Sequence, residues 1–243
     1  MTRTGTRQQR PTAPSRTSTV PAAGSALRRA LALIGVVGPV GYLVQVTVLG
    51  MLWDGYDPIR DTQSELGAVD APYRLVMNLA GFTALGVCIL AFAAAHWRLL
   101  APSWAKLLAT GLLVLAGLGM VVVGFFPCDA ACVDVTVTGR LHSLFSVPGA
   151  IGLPAAAMVS ALVFRRDRRF GAAWQVVSFW LGLITLVSGP IIAAELVGGI
   201  NGLLQRAAMW MPLGWVMAVS IKLYRLARPA TAVAATRPDC RSQ

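Results

Sequence analysis

The chain has 243 residues, 56% of them hydrophobic and only 13% charged, with a formal net charge of +11. A charged fraction about half the ~25% usual in soluble domains excludes an ordinary soluble fold. The position of the basic residues, rather than their number, excludes nucleic acid as the reason for the positive charge.

The apolar residues gather in blocks about 20 long, the length a helix needs to cross roughly 30 Å of hydrocarbon. Six such blocks, at about 31–52, 75–95, 107–126, 141–164, 172–194 and 203–224, predict an all-α polytopic membrane protein, a six-transmembrane-helix bundle. They divide the chain into a basic tail at 1–26, one transmembrane domain at 27–227 and a second tail at 228–243. Both tails are polar, lack an apolar face and are expected to be disordered.

Sidedness follows from the arginines. The N-terminal tail holds six basic residues, the link after span two holds Arg98 and Lys106, and the link after span four holds Arg165, Arg166, Arg168 and Arg169. Five more lie from Lys222 onward, leaving only Arg60, Arg74, Arg140 and Arg206 on the other side. Basic residues stay cytoplasmic, so both termini are expected inside a cell membrane. Seven of the ten acids then fall in the outer loops. The basic flanks would also attract anionic lipid of the inner leaflet, and no nucleic acid partner is expected.

Taken in order, Arg28-Arg29 before an apolar run could open a twin-arginine export signal. The run continues uncharged to Trp53 without a small-residue cleavage site, so it reads as an uncleaved first span. That span carries Gly35, Gly38 and Gly41, which permit close helix contact. Pro39 is expected to bend it.

The first outer loop contains Thr62-Gln63-Ser64-Glu65, which fits a capping box, and Gly67 is placed to end the short helix. Ser64 and Glu65 can be caps of a surface helix or members of a site. Asp70 and Pro72 read as start signals for span two. Within it, Asn78 can bond across helices and Cys88 can sit in the core. His96, beside Trp97 at the far end, needs no role beyond an interfacial side chain. Gly111, Gly117, Gly119 and Gly124 mark span three as a close-packing helix.

In the second outer loop Cys128 and Cys132 can form a small disulfide on the oxidising side, and two thiols alone make a poor metal site. Thr138 is the expected cap of span four, with His142 in its first turn and Pro148 and Pro154 further along. Span five ends near Glu195, for which Arg206 or Arg140 is the natural partner, either as a structural ion pair or within a site.

Ser64-Glu65-Leu66-Gly67, Asn78 with Gly81, Phe126-Pro127-Cys128-Asp129, Gly139 with His142, and Gly202-Leu203 with Arg206 follow one another across the membrane portion. In that order they resemble a bacterial six-helix integral membrane family catalogued as domain of unknown function 998. The family pattern often has an acid where this chain has Gln205. The resemblance implies six spans and no established activity. It also implies that Ser64, Glu65, Asp129, His142 and Arg206 belong together.

Two function classes follow. One is a binding module for a lipid, a small solute or a membrane protein partner, with Arg206, Glu195, Arg140 and Asn78 as binding candidates. The other is a hydrolase or transferase acting on a lipid headgroup, with His142, Asp129, Glu65 and Ser64 as catalytic candidates. No cofactor or metal is expected, since a catalytic zinc wants three protein ligands and His142 is the one histidine on that side. A haem held by both histidines is excluded by about 25–30 Å of bilayer between them. The middles of the spans carry no charge, which disfavours an ion-coupled transporter. The binding module is the preferred reading.

Overall fold

The computed structural model describes the backbone of residues 22–193 and 199–227, and the side chains of 24–189 and 199–227. The remainder of both tails and Glu195 lie outside the described residues. Six helices form: α1 Ala22–Met51, α2 Ala84–Leu99, α3 Trp104–Val123, α4 Val137–Arg166, α5 Ala172–Ala193 and α6 Asn201–Leu226. No strand occurs among the described residues. With the π-helical turns at Val76–Thr83 that run straight into α2, all six are long and apolar enough to cross a membrane. α1 begins at Ala22, so it extends into the stretch expected to be disordered.

Each helix packs on the next in sequence, and α6 closes the ring by packing on α1. Links at 52–73 and 124–136 meet at one end, which holds most of the acids, and those at 100–103 and 167–171 meet at the basic end. The inward stripe of α1 is Tyr42, Val46 and Leu49, spaced four and three apart as a buried helical face requires. Val37, Val44 and Val48 on the opposite face are exposed, as expected of side chains turned toward lipid. At the centre Trp215 of α6 stacks edge-on against Phe92 at 5.7 Å and donates from its indole nitrogen to Ser178 Oγ at 2.8 Å.

Glycines let backbones touch at several crossings. A Cβ on Gly86 would stand 2.7 Å from the Gly117 carbonyl oxygen, and one on Gly119 would stand 2.8 Å from the Phe145 carbonyl oxygen. Gly41 and Gly111, expected to pack in the same way, face open space.

The basic end is locked by polar contacts. His96 is fully buried rather than interfacial, with Nδ1 2.9 Å from Thr110 Oγ1 on α3 and Nε2 3.2 Å from Ser160 Oγ on α4. Lys106 lies over the Trp97 ring and donates to the Trp97 and Leu100 carbonyls at 3.1 and 3.2 Å, satisfying acceptors left open where α2 ends. Arg169 grips Asp167 and the Leu99 carbonyl. The guanidinium of Arg169 holds the Asp167 carboxyl below the usual carboxylate range.

Candidate functional site

At the acidic end the loops fold inward as a roof. Residues 56–62 lie over the start of α6, whose first N–H groups have no side-chain cap. Gly202 and Leu203 instead donate to the Arg60 and Ile59 carbonyls, each at 3.0 Å. A Cβ on Gly202 would stand 2.8 Å from the Pro58 carbonyl oxygen, so only glycine allows this approach. One turn on, the buried Arg206 guanidinium donates to the Pro58, Asp61 and Gly202 carbonyls at 2.6, 2.9 and 3.1 Å and to the Tyr56 hydroxyl. Its charge is met by carbonyl dipoles. The expected partner Glu195 lies outside the described residues.

The capping box forms by half. The Glu65 carboxylate accepts from the Thr62 N–H at 2.8 Å, but the Thr62 hydroxyl donates to that same carboxylate at 2.9 Å instead of accepting at the helix start. The 3-10 turn Ser64–Gly67 that follows lies against the π-helical turns: Asn78 Nδ2 donates to the Gly67 carbonyl at 3.0 Å. The wider π spiral displaces backbone bonds, and Gln45 of α1 answers by donating to the Val76 carbonyl at 2.9 Å.

The second outer loop joins this roof through Val69 N–H donating to the Cys128 carbonyl at 3.0 Å. Cys128 and Cys132 are joined as a disulfide with Cα atoms 5.0 Å apart, and Ala131 and Cys132 take left-handed φ values of 53° and 50°. Asp129 accepts from the Val135 and Thr136 N–H groups at 2.9 and 2.7 Å and from the Thr136 hydroxyl at 2.8 Å. The Thr136 N–H, then its hydroxyl, hold the Asp129 carboxyl below its ordinary range. Thr136, not Thr138, caps α4, by accepting from the Gly139 N–H at 3.1 Å. Arg140 is exposed nearby.

His142 is buried, with Nδ1 2.7 Å from the Phe126 carbonyl oxygen. A carbonyl only accepts, so Nδ1 carries the hydrogen and Nε2 bears the lone pair. That lone pair has no hydrogen-bond partner among the described residues, and the ring meets Phe82 edge-on at 6.0 Å.

Of the five residues expected to belong together, each makes its hydrogen bonds to other residues of the outer end, and only Ser64 lines the cavity beneath them. This cavity, about 150 Å³, has Tyr42, Gln63, Ser64 and Gln205 as its main polar lining, with walls that include Ile89 and Met209. Gln205 is central: its Oε1 accepts from the Gln63 N–H at 2.7 Å and its Nε2 approaches Ser64 Oγ at 3.4 Å. Gln63 Oε1 in turn accepts from the Trp210 indole at 3.0 Å. Tyr42 is legible in the sequence as an aromatic hydroxyl on the inward stripe of α1. Gln63 sits at a variable position of the capping box and carries no such signal. Among the described residues no three His, Cys, Asp or Glu side chains converge as metal ligands would.

Six membrane-length helices around a roofed cavity define a polytopic helical membrane protein. Residues 36–222 match the family described as a protein of unknown function (DUF998), and the chain belongs to it. Neither a curated protein nor a solved structure gives a significant match.

Proposed function

We propose that this protein is a binding module of the cell membrane, with both termini cytoplasmic, which takes up a small, largely apolar molecule from the outer leaflet. The observation that carries this reading is the cavity: apolar walls under a roof of uncharged amides and hydroxyls. Its volume equals that of cavities that accept a benzene-sized molecule. A whole lipid is too large, so the occupant is a small solute or one end of a longer amphiphile. A catalytic reading has less support, because the Glu65 and Asp129 carboxylates already serve backbone N–H groups in the roof and neither lines the cavity.

Two experiments bear on this. In cells, a membrane-impermeant maleimide is expected to label Val69→Cys and Val135→Cys, both exposed at the acidic end. Arg168→Cys should react only after permeabilisation. Reversed labelling would overturn the orientation and leave the cavity untouched. In micelles, toluene is expected to shift the methyl NMR signals of Met120 and Met209, which line the cavity, in a saturable way. Ala208→Phe, filling the cavity from α6, should abolish the shifts. Unmoved signals in the unsubstituted protein would end the binding reading.

A further inference from the structure

We infer that the molecule held in this cavity presents a carbonyl oxygen on a compact apolar body; the inference rests on the binding reading above. The roof decides it, because each amide oxygen already receives a donor while Gln63 Nε2 and the Tyr42 hydroxyl have no partner among the described residues. Trp210 Nε1–H can only donate, so the Gln63 atom 3.0 Å from it is the amide oxygen, and Gln63 Nε2 is the other arm. The Gln63 backbone N–H can only donate, so the Gln205 atom 2.7 Å away is likewise the amide oxygen. Gln205 Nε2 is thereby turned to Ser64 Oγ. Both amide orientations thus follow from partners whose roles are unambiguous.

What is left over is a set of donors. Gln63 is 1% exposed and Tyr42 2%, and among the described residues neither Gln63 Nε2 nor the Tyr42 hydroxyl has a hydrogen-bond partner. Both line the cavity. A buried polar hydrogen without an acceptor is costly, and native interiors seldom leave one. The hydroxyls of Ser146 and Thr185 lower on the wall are already bound to their own helices, through the His142 and Leu181 carbonyls at 2.8 Å each. They make no comparable demand.

A carbonyl oxygen answers such a roof. It has two lone pairs, so it can receive two donors at once, and it brings no hydrogen of its own that would need an acceptor. An alcohol or amine fits less well: if it receives both donors, its own hydrogen is left over, and if that hydrogen turns to the Tyr42 oxygen, the Tyr42 hydrogen is left over instead. An anion is disfavoured because Arg206 spends its guanidinium on the Pro58, Asp61 and Gly202 carbonyls and, among the described residues, no charged side chain lines this cavity. Ketones, small esters and quinone-like rings share the required chemistry. A membrane lipid and a free molecule are the two sources of such an ester.

The test compares acetophenone with ethylbenzene, which keeps the shape and lacks the oxygen, and with 1-phenylethanol. Affinities are read from the Met120 and Met209 methyl signals and corrected for partition into the micelle. Acetophenone is expected to bind tightest, by about 2- to 10-fold per donor engaged. Its bound carbonyl stretch should move to lower frequency. Tyr42→Phe removes a hydroxyl that no described protein group uses, so the fold is retained. It is expected to erase about 2- to 10-fold of the acetophenone affinity and leave ethylbenzene unchanged. Equal binding of all three probes, or an acetophenone affinity indifferent to Tyr42→Phe, overturns the carbonyl assignment while the cavity reading stands. If no probe binds the folded protein, the cavity reading itself fails. Nanodiscs of ester-linked or ether-linked lipid separate the sources. Competition against acetophenone in ester discs alone assigns the carbonyl to lipid; equal behaviour in both assigns it to a free molecule.

Discussion

Arg206→Met is expected to lower the stability of the solubilised protein by roughly 3–5 kcal/mol, because three carbonyls lose a charged donor at once. Those carbonyls belong to Pro58, Asp61 and Gly202, and the same guanidinium also holds the Tyr56 hydroxyl. Methionine matches the stem and supplies no hydrogen, so the 56–62 segment should lift from α6. Lysine is expected to recover about half of the loss: its ammonium can donate three times but lacks the planar fork. Denaturant melts in detergent and limited proteolysis between Asp54 and Thr62 check both statements. A melt unchanged by Arg206→Met would show that the roof does not depend on this residue. Because Gln63 and Ser64 follow directly in the same loop, Arg206→Met is also expected to weaken binding in the cavity below.

The second large effect is expected at Gly86. A Cβ there would stand 2.7 Å from the Gly117 carbonyl oxygen and press on the α3 backbone at Val121 as well. Backbone cannot rotate out of the way as a side chain can, so α2 and α3 must separate along their length. Gly86→Leu is expected to cost about 3 kcal/mol or more, toward the upper end of core overpacking. Gly111→Leu on the same pair of helices faces open space and should change stability by less than about 0.5 kcal/mol. Measuring the two melts side by side isolates backbone contact from glycine content. Equal effects would mean that helix propensity, not packing, governs this seam.

That contrast also shows where reading the chain reaches its limit. Gly35, Gly38, Gly117 and Gly119 lie at helix crossings, and Gly41 and Gly111 do not. All are glycines in apolar runs, and composition alone cannot tell which face of a helix a given residue occupies. His96 is a similar case. A histidine next to a tryptophan at a span's end suits the interface, yet here it is the hinge of a three-helix polar contact with Thr110 and Ser160. Its partners lie 14 and 64 residues away, and no local pattern announces them. The helix cap moved from Thr138 to Thr136 because Asp129, folding back from the loop, holds the Thr136 N–H and hydroxyl in place.

By itself the sequence determined the helices, their number and the grouping of acidic and basic links at opposite ends. These depend on the length of apolar runs and on charge, both additive along the chain, because lipid acts on every segment alike. The family resemblance also grouped Ser64, Glu65, Asp129, His142 and Arg206. The tertiary structure alone decided what that group does: it builds a roof, while the polar lining beneath comes chiefly from Tyr42, Gln63, Ser64 and Gln205. Which hydrogen bonds are spent depends on who meets whom across the bundle. Trp210 stands 147 residues from the amide whose orientation it sets, and such a pairing exists only once the helices have closed.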